Sequence, residues 1–282
     1  MTRYLITGAG GMLGHDLQRA LAGREVIALD RRALDVTDER AVRAAVDGVD
    51  VVINAAAYTK VDDAETHEAE ARAINALGPA NIAAATAATG ARFVQFSTDY
   101  VFDGTATAPY AEDAPRHPVS AYGRTKAEGE ELTLAANPDS FIVRTAWLYG
   151  QDGPNFARTM LRLADERPTV SVVDDQLGQP TWTHDLAQQT VAMLDAGAPA
   201  GIYHGTNAGE TTWYGFARAI FELGGHDPDR VRPTTSAEFV RPAPRPAFSV
   251  LGHARWAQIG LAPMRPWHAA LGEAFETGAL RT

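Results

Sequence analysis

A glycine-rich turn between an apolar stretch and a helical stretch opens the chain, and it constrains the fold more than any other feature. Residues 3–7 predict a buried strand, residues 15–22 predict a helix, and the turn between them carries Gly8, Gly11 and Gly14 in the pattern G-x-x-G-x-x-G. Glycines allow a tight turn and close backbone approach, and the helix N-terminus presents amide groups to a pyrophosphate. We therefore predict an α/β fold, a doubly wound parallel sheet of the Rossmann type that binds a dinucleotide.

The second predicted strand, residues 25–30, bears on the choice of cofactor. It ends in Asp30, where an acid is expected to bond the ribose hydroxyls of NAD. Arg31 and Arg32 follow at once, and their guanidinium groups suit the 2′-phosphate of NADP. Asp35 is either a turn residue or a contact to the adenine edge. We predict NADPH as cofactor with NADH also accepted, and the sequence leaves the preference open.

The middle of the chain continues the alternation of strands and helices. We predict strands at residues 50–57 and 92–98, with a long alanine-rich helix at about residues 62–88 between them. Thr98 ends the second of these strands. Because ligands lie at the carboxyl ends of strands in such a sheet, Thr98 is expected at the ligand-binding edge. The alternative interpretation is a hydroxyl that only caps the strand end.

A Tyr-x-x-x-Lys pattern follows in a stretch, residues 119–136, that predicts a helix. Tyr122 and Lys126 are four residues apart and therefore share one helix face. An ammonium group beside a phenol lowers the phenol pKa, so the pair suits a proton donor to a carbonyl. An ordinary exposed helix face is the alternative. With Thr98, these two residues form the predicted catalytic group.

The scarcity of lysine favours the catalytic interpretation. The chain has 25 basic residues, and only Lys60 and Lys126 are lysines. An arginine at position 126 would present a planar fork, whereas a lysine presents a compact charge with rotatable donors. The exception to the arginine preference therefore coincides with the motif.

Regular alternation ends near residue 150, after a predicted strand at residues 140–150 that contains Trp147. We predict a dinucleotide-binding Rossmann-type domain at 1–150 and a mainly sugar-nucleotide-binding lobe at 151–282. Trp147 is either a core residue or a face on which a sugar or base stacks. The lobe is predicted to contain helices at 155–166, 184–195, 212–223 and 266–278, and a mobile or ligand-covering loop at 234–249 that carries Arg241 and Arg245. These arginines are either solvated charges or a clamp on a diphosphate.

Composition excludes several classes of protein and site. The net charge of −10 argues against a general nucleic-acid partner, because phosphate binding calls for a basic surface. The absence of cysteine excludes disulfides and thiolate sites. No apolar run approaches the roughly 20 residues that span a bilayer, and no signal peptide is apparent. We expect a cytoplasmic protein without a membrane partner.

Several motifs together are similar to those of one known family. They are the glycine pattern, Asn54-Ala55-Ala56-Ala57-Tyr58-Thr59, Ser97-Thr98-Asp99-Tyr100-Val101-Phe102-Asp103-Gly104, Tyr122-x-x-x-Lys126, Arg144-Thr145-Ala146-Trp147-Leu148-Tyr149 and Asp175-Gln176-Leu177-Gly178-Gln179-Pro180-Thr181. On these residues the chain resembles the dTDP-4-dehydrorhamnose reductases, a family of the extended short-chain dehydrogenase/reductase superfamily. The resemblance covers nearly the whole chain.

The resemblance implies a smaller C-terminal substrate-binding lobe and an NAD(P)H-dependent oxidoreductase of dTDP-rhamnose biosynthesis, which reduces the 4-keto group of dTDP-4-dehydro-L-rhamnose. Carried over by position, it implies cofactor contacts at Gly11, Met12, Leu13, Asp30, Asp35, Val36, Ala57, Tyr58, Thr59 and Phe96, and the patterns described above add Gly8, Gly14, Arg31, Arg32, Tyr122 and Lys126. It implies a nucleotide-sugar substrate at Thr98, Asp99, Tyr100 and Trp147, and the patterns described above add Tyr122, Arg241 and Arg245. It leaves a homodimer open. Some relatives hold magnesium between subunits; Asp16 and Glu273 are the nearest matches, and we predict no metal ligand.

Two alternative hypotheses stay open at this point. The first is another ketoreductase, epimerase or dehydratase acting on a nucleotide-linked deoxysugar. Dehydratases and epimerases recycle their NAD, so net NADPH consumption separates them from a reductase. The second is a non-catalytic regulatory subunit that binds NAD(P), against which the intact Thr98, Tyr122 and Lys126 argue.

Overall fold

The structure is a computed structural model that describes residues 2–280. The strands are β1 (Arg3–Thr7), β2 (Glu25–Leu29), β3 (Val51–Asn54), β4 (Arg92–Thr98), β5 (Phe141–Thr145), β6 (Leu148–Tyr149), β7 (Val170–Val173), β8 (Leu177–Gly178), β9 (Thr181–Trp182), β10 (Gly201–His204), β11 (Thr211–Thr212) and β12 (Val231–Thr234). The helices are α1 (Met12–Ala20), α2 (Glu39–Val46), α3 (Val61–Ala64), α4 (Glu68–Arg72), α5 (Gly78–Thr89), α6 (Ala121–Ala136), α7 (Phe156–Glu166), α8 (Thr183–Asp195), α9 (Trp213–Leu223), α10 (Ala254–Gln258) and α11 (Trp267–Glu276).

The centre of the molecule is a six-stranded sheet with the strand order β2-β1-β3-β4-β5-β10. All of its neighbouring strands run parallel. The chain passes from β1 outward to β2 and then returns to place β3 on the other side of β1. Ligands of doubly wound sheets bind at the carboxyl ends of the strands where this reversal occurs. The predicted Rossmann-type sheet is confirmed.

Helices cover both faces of this sheet, which explains why its strands are apolar on both sides. On one face, Ile6 and Val143 pack with residues of α1 and α8. On the other face, Leu5 and Phe93 pack with residues of α2 and α5. The side chain of Asp38 starts α2 by accepting hydrogen bonds from two backbone N–H groups, as expected of an N-cap.

The prediction of one continuous helix at about residues 62–88 is wrong. The segment divides into α3, α4, a π-helical turn at Ala73–Leu77 and α5. Pro79 lies in the first turn of α5, where it cannot donate a backbone hydrogen bond to a preceding helix. Gly78 packs against Val36 so closely that a Cβ would lie 2.7 Å from a Val36 methyl group. The gap in the predicted helix therefore lies at residues 65–67, and the π-helical turn before Pro79 is a local change within a segment that stays helical from Glu68 to Thr89.

A second core lies in the C-terminal part of the chain, where Tyr149 and Phe216 pack with residues of α7, α9 and α11. Sequence patterns missed the short strands β7, β8, β9, β11 and β12 of this region. Residues 183–204, which form α8 and β10, lie with the main sheet although they follow residue 150. The division into two lobes at residue 150 otherwise stays a prediction.

Candidate active site

The glycine turn after β1 leaves no room for a side chain at Gly8 or Gly14. Gly8 has φ +67°, and a Cβ there would lie 2.4 Å from the backbone nitrogen of Ala56. A Cβ on Gly14 would lie 2.5 Å from the Gly8 carbonyl oxygen. Gly11 is the N-cap of α1 and supplies no side-chain acceptor. The first-turn amides of α1 therefore suit an anion such as a pyrophosphate.

A cleft of about 1040 Å³ opens beside this turn, at the point where the sheet order reverses. Ten of the predicted cofactor residues line it: Gly8, Gly11, Asp30, Arg31, Arg32, Asp35, Val36, Ala57, Tyr58 and Thr59. Its size and its glycine-rich floor fit a dinucleotide. Leu13 instead lies in the core, and Met12 contacts Gly150 from the first turn of α1.

The acidic side chains at the predicted adenosine end of the cleft accept hydrogen bonds from residues that follow them closely in the chain. Asp30 Oδ1 accepts hydrogen bonds from the N–H groups of Arg32 and Ala33 at 2.9 and 3.0 Å. Asp35 accepts from the N–H and hydroxyl of Thr37, and the backbone bond contributes most to lowering the Asp35 pKa. Asp35 is thus a turn residue here, and its contact with adenine stays a prediction.

Tyr122 lies in the first turn of α6, which Ser120 caps by accepting a hydrogen bond from the Gly123 N–H at 3.1 Å. Burial raises the pKa of Tyr122 to about 12, and a hydrogen bond with the Thr98 hydroxyl opposes part of that rise. The predicted lowering of this pKa by lysine is wrong, because burial of the phenol dominates. Tyr122 is therefore fully protonated at neutral pH, as a proton donor must be.

Lys126 is buried beneath the end of β4, and its exposure is only 4%. Its Nζ donates a hydrogen bond to the Phe96 carbonyl oxygen at 2.7 Å. Burial lowers the pKa of Lys126 to about 8, while the charge of Glu130 opposes the shift. A buried ammonium of this kind loses its charge close to physiological pH.

This lowered pKa predicts an alkaline limit to activity. If the Lys126 ammonium is required, kcat/KM should be constant below pH 8 and should fall as the pH rises through about 8. A pH profile of kcat/KM measures this, because that parameter reports the ionisation of the free enzyme. In Lys126→Arg, any remaining activity should show no such fall, since arginine stays charged. A flat wild-type profile up to pH 9.5 or so would mean that the charge is not needed.

Three buried polar side chains on neighbouring strands form a chain of hydrogen bonds that ends at the Phe96 carbonyl oxygen, which also accepts from Lys126. Thr7 donates to Asn54 at 2.5 Å, Asn54 donates to Gln95 at 2.6 Å, and Gln95 donates to the Phe96 carbonyl at 2.6 Å. All three residues are at most 2% exposed. Sequence reasoning missed this ladder, although the signal was visible as polar residues within strands that are otherwise apolar.

The residues that follow β4 surround Tyr122. Asp99 is buried, and its burial raises the pKa of the carboxyl to about 6. The ring of Tyr100 meets the ring of Tyr122 edge to face, with centroids 5.6 Å apart. Thr98, Asp99 and Tyr100 therefore lie together with Tyr122, and their contact with a substrate stays a prediction.

Trp147 combines an unusual backbone with an aromatic stack. Its φ is +46°, a conformation that costs a non-glycine residue free energy and is often found at functional sites. Its ring stacks on Trp213 with centroids 3.7 Å apart, and it lies directly over Gly178. The indole therefore packs against two segments of the C-terminal part of the chain, one on α9 and one at β8.

The arginines of the C-terminal loop bind an acid near the cleft. Arg241 and Arg245 lie 2.6 and 2.7 Å from the two carboxylate oxygens of Asp62, at the start of α3. Asp62 also accepts a hydrogen bond from the Ala243 N–H at 3.2 Å. Burial raises the pKa of Tyr100, and the positive charge of Arg245 opposes part of that rise. The loop therefore docks beside the site, and its arginines are not solvated free charges.

The two acids that match a magnesium site in some relatives are bonded to other side chains. Asp16 pairs with Arg19 at 2.7 Å and accepts from the Thr183 hydroxyl at 2.6 Å. Glu273 pairs with Arg265. Within the described part of the chain, no cluster of three or more His, Asp or Glu residues is placed to hold a metal ion. Both carboxylates are therefore engaged by side chains of their own chain.

Comparisons with known proteins agree with this arrangement. The family model described as the RmlD substrate binding domain matches residues 2–279. A dTDP-4-dehydrorhamnose reductase from Streptomyces griseus is 53% identical over 97% of this chain and 93% of its own length. A probable dTDP-4,6-dihydroxy-2-methyloxan-3-one 4-ketoreductase from Streptomyces antibioticus is also 53% identical, over 97% and 94%. The structure of dTDP-4-dehydrorhamnose reductase from Bacillus anthracis in complex with NADP has a TM-score of 0.95 and 38% identity, and the match covers 98% of this chain and 100% of that one.

Proposed function

The chain belongs to the RmlD substrate binding domain family, and from this membership we propose that it is an NADPH-dependent oxidoreductase acting on a dTDP-linked 4-keto sugar. The proposed reaction reduces dTDP-4-dehydro-L-rhamnose to dTDP-L-rhamnose. The observation that carries it is the position of Tyr122, which is protonated and hydrogen-bonded to Thr98 at the carboxyl end of β4. Tyr122 packs against the same small cluster as Tyr58, which lines the dinucleotide-sized cleft.

The proposed chemistry uses the residues at the end of β4. The nicotinamide, when bound, supplies the hydride for the carbonyl carbon. Tyr122 donates its proton to the carbonyl oxygen, and Thr98 orients the Tyr122 hydroxyl. Lys126, seated on the Phe96 carbonyl, supplies a positive charge that favours the phenolate left on Tyr122.

Cofactor preference depends on the two arginines after β2. Asp30 disfavours a 2′-phosphate while Arg31 and Arg32 favour one, and the Arg31 side chain is 83% exposed at the cleft. We expect both nicotinamides to be used, with NADPH modestly preferred. Replacing both arginines by alanine should raise the Michaelis constant for NADPH more than that for NADH. Equal effects on the two would place these side chains away from the ribose.

The substrate half of the proposal rests on charge as well as on the aromatic rings. Arg241 and Arg245 carry two positive charges against the single carboxylate of Asp62, so the cluster keeps a net positive charge. A diphosphate is the part of the substrate that matches it. Trp147 supplies a ring face suited to stacking on a sugar.

A second candidate is a ketoreductase for another dTDP-linked 4-keto-deoxysugar. The Streptomyces antibioticus relative favours it, because its name describes such an enzyme at the same 53% identity. Both candidates are tested by incubating the protein with several dTDP-4-keto sugars and each reduced nicotinamide, following cofactor absorbance and identifying the products. Net cofactor oxidation with dTDP-4-dehydro-L-rhamnose supports the first proposal, and oxidation only with another sugar supports the second. Net oxidation with none excludes both.

The proposal also covers the location of the protein and its partners. No helix between residues 2 and 280 is both long and apolar enough to cross a membrane. A cytoplasmic location and the absence of a nucleic-acid partner stay predictions, and the net charge of −10 supports the second of them. A homodimer stays open.

A further inference from the structure

Thr145 places a buried hydroxyl at the carboxyl end of β5, and the proposed chemistry does not use it. The residue is 7% exposed, and its Oγ1 has no hydrogen-bond partner among residues 2–280. A buried hydroxyl without a partner destabilises a protein, and folded proteins seldom contain one. At a ligand-binding edge, such an atom indicates a partner that a ligand supplies.

The sheet register brings Thr145 next to the proposed catalytic residues. Thr145 pairs with Thr98 across β4 and β5, and neighbouring strands lie about 4.8 Å apart. Both residues follow the alternation of Phe96 and Val143, which pack on the same face of the sheet. Thr145 and Thr98 are therefore side by side, and Thr98 is the hydrogen-bond partner of Tyr122.

The hydroxyl of Thr98 is already engaged, whereas that of Thr145 is not. Thr98 donates to Asp99 Oδ1 at 2.9 Å and accepts from the Tyr100 N–H at 3.2 Å. The Thr145 hydroxyl keeps its donor and its acceptor capacity. It matches a neutral group that can both donate and accept a hydrogen bond. Charged phosphate oxygens only accept, so they are a poorer match.

The order of the strands indicates which end of the ligand site lies near the Thr145 hydroxyl. The cleft is lined by the ends of β1, β2 and β3, and β5 lies on the far side of β4 from them. Thr145 is thus remote from the adenosine end. At the reacting end of the two ligands, the groups that can both donate and accept a hydrogen bond are a sugar hydroxyl next to the keto group and the carboxamide of the nicotinamide.

We propose that Thr145 is a ligand-binding residue that takes a hydroxyl or carboxamide group at the reacting end of the site. The sugar alternative rests on the proposed function, and the carboxamide alternative rests only on dinucleotide binding. Removing the Thr145 hydroxyl should therefore weaken ligand binding without destabilising the ligand-free protein.

The test compares Thr145→Val with a matched control. Thr133 on α6 is fully buried, and its Oγ1 also has no partner among the residues described. In both Thr145→Val and Thr133→Val, an unpartnered hydroxyl is replaced by a methyl group of similar size. Both variants should melt at or above the wild-type temperature, because no hydrogen bond of the free protein is lost.

Ligand binding should separate the two variants. Thr145→Val leaves a buried ligand group without its partner, so we expect about a 5- to 100-fold loss of affinity or kcat/KM. Thr145→Ser keeps the hydroxyl and should restore most of the loss, and Thr133→Val should match the wild type. A larger dissociation constant for NADPH in Thr145→Val would identify the nicotinamide carboxamide as the partner of Thr145. A lower kcat/KM for dTDP-4-dehydro-L-rhamnose with unchanged NADPH affinity assigns the sugar hydroxyl.

Wild-type values of both parameters in Thr145→Val would overturn the proposal. Failure of the proposed function is a separate result, seen when the wild-type protein reduces no dTDP-4-keto sugar. In that event NADPH affinity alone decides, and an unchanged dissociation constant in Thr145→Val overturns the inference.

Discussion

Replacing Tyr122 by phenylalanine is expected to lower kcat by about 10²- to 10⁴-fold, the usual contribution of a general acid. The phenol is protonated at neutral pH and bonded to Thr98, so the substitution removes the proposed proton and little else. Steady-state kinetics with a dTDP-4-keto sugar and NADPH measure the loss. Circular dichroism and the melting temperature show whether the fold is intact.

The control for this substitution is another tyrosine. Tyr214 lies in α9, and within residues 2–280 its hydroxyl accepts one hydrogen bond, from Arg218 at 3.4 Å. Tyr214→Phe should therefore leave kcat within about twofold of the wild-type value. A loss smaller than about tenfold in Tyr122→Phe, with the protein folded, would show that another group donates the proton.

Arg245→Ala is expected to lower kcat/KM for the dTDP-linked substrate by about 10- to 150-fold. The reason is that a hydrogen bond from a charged donor to a phosphate is worth about 1.5–3 kcal/mol. Arg245 is 17% exposed and bonded to Asp62, so its side chain is already held in one position beside the site. A held side chain loses less entropy when the substrate binds. Binding energy from the diphosphate can then position the keto carbon, so kcat should fall together with affinity.

Two arginine variants give the comparison for this effect. Arg241 shares Asp62 but is 46% exposed, so Arg241→Ala should have a smaller effect than Arg245→Ala. Arg162 forms an exposed pair with Glu166 on α7, and Arg162→Ala should be neutral. A silent Arg245→Ala, or equal rates with free and dTDP-linked sugar, would remove the diphosphate from the role proposed for this loop.

Local sequence patterns predicted the parts of the site that depend on neighbours along the chain. The turn at Gly8 and Gly14 follows from the spacing of glycines between a strand and a helix, and Tyr122 and Lys126 lie on one helix as their spacing predicts. β10 was missed because its four residues begin with Gly201 and show no alternation.

Contacts between distant residues could not be predicted in this way. Asp62 and Arg245 are 183 positions apart, and their pairing follows only from the folded chain. The direction of the Tyr122 pKa shift was also hidden, because it depends on how deeply the phenol is buried. The same holds for Thr145, whose hydroxyl looks ordinary in the sequence and is unusual only because the fold leaves it without a partner.

The proposed reaction can be followed through its transferred hydrogen. The protein is incubated with dTDP-4-dehydro-L-rhamnose and NADPH that carries deuterium at the transferable position, and the product is analysed by NMR spectroscopy. We predict dTDP-L-rhamnose with deuterium at C4 and one equivalent of NADPH oxidised for each product molecule. Loss of the keto sugar without NADPH oxidation, or a product that lacks deuterium at C4, would contradict a 4-ketoreductase.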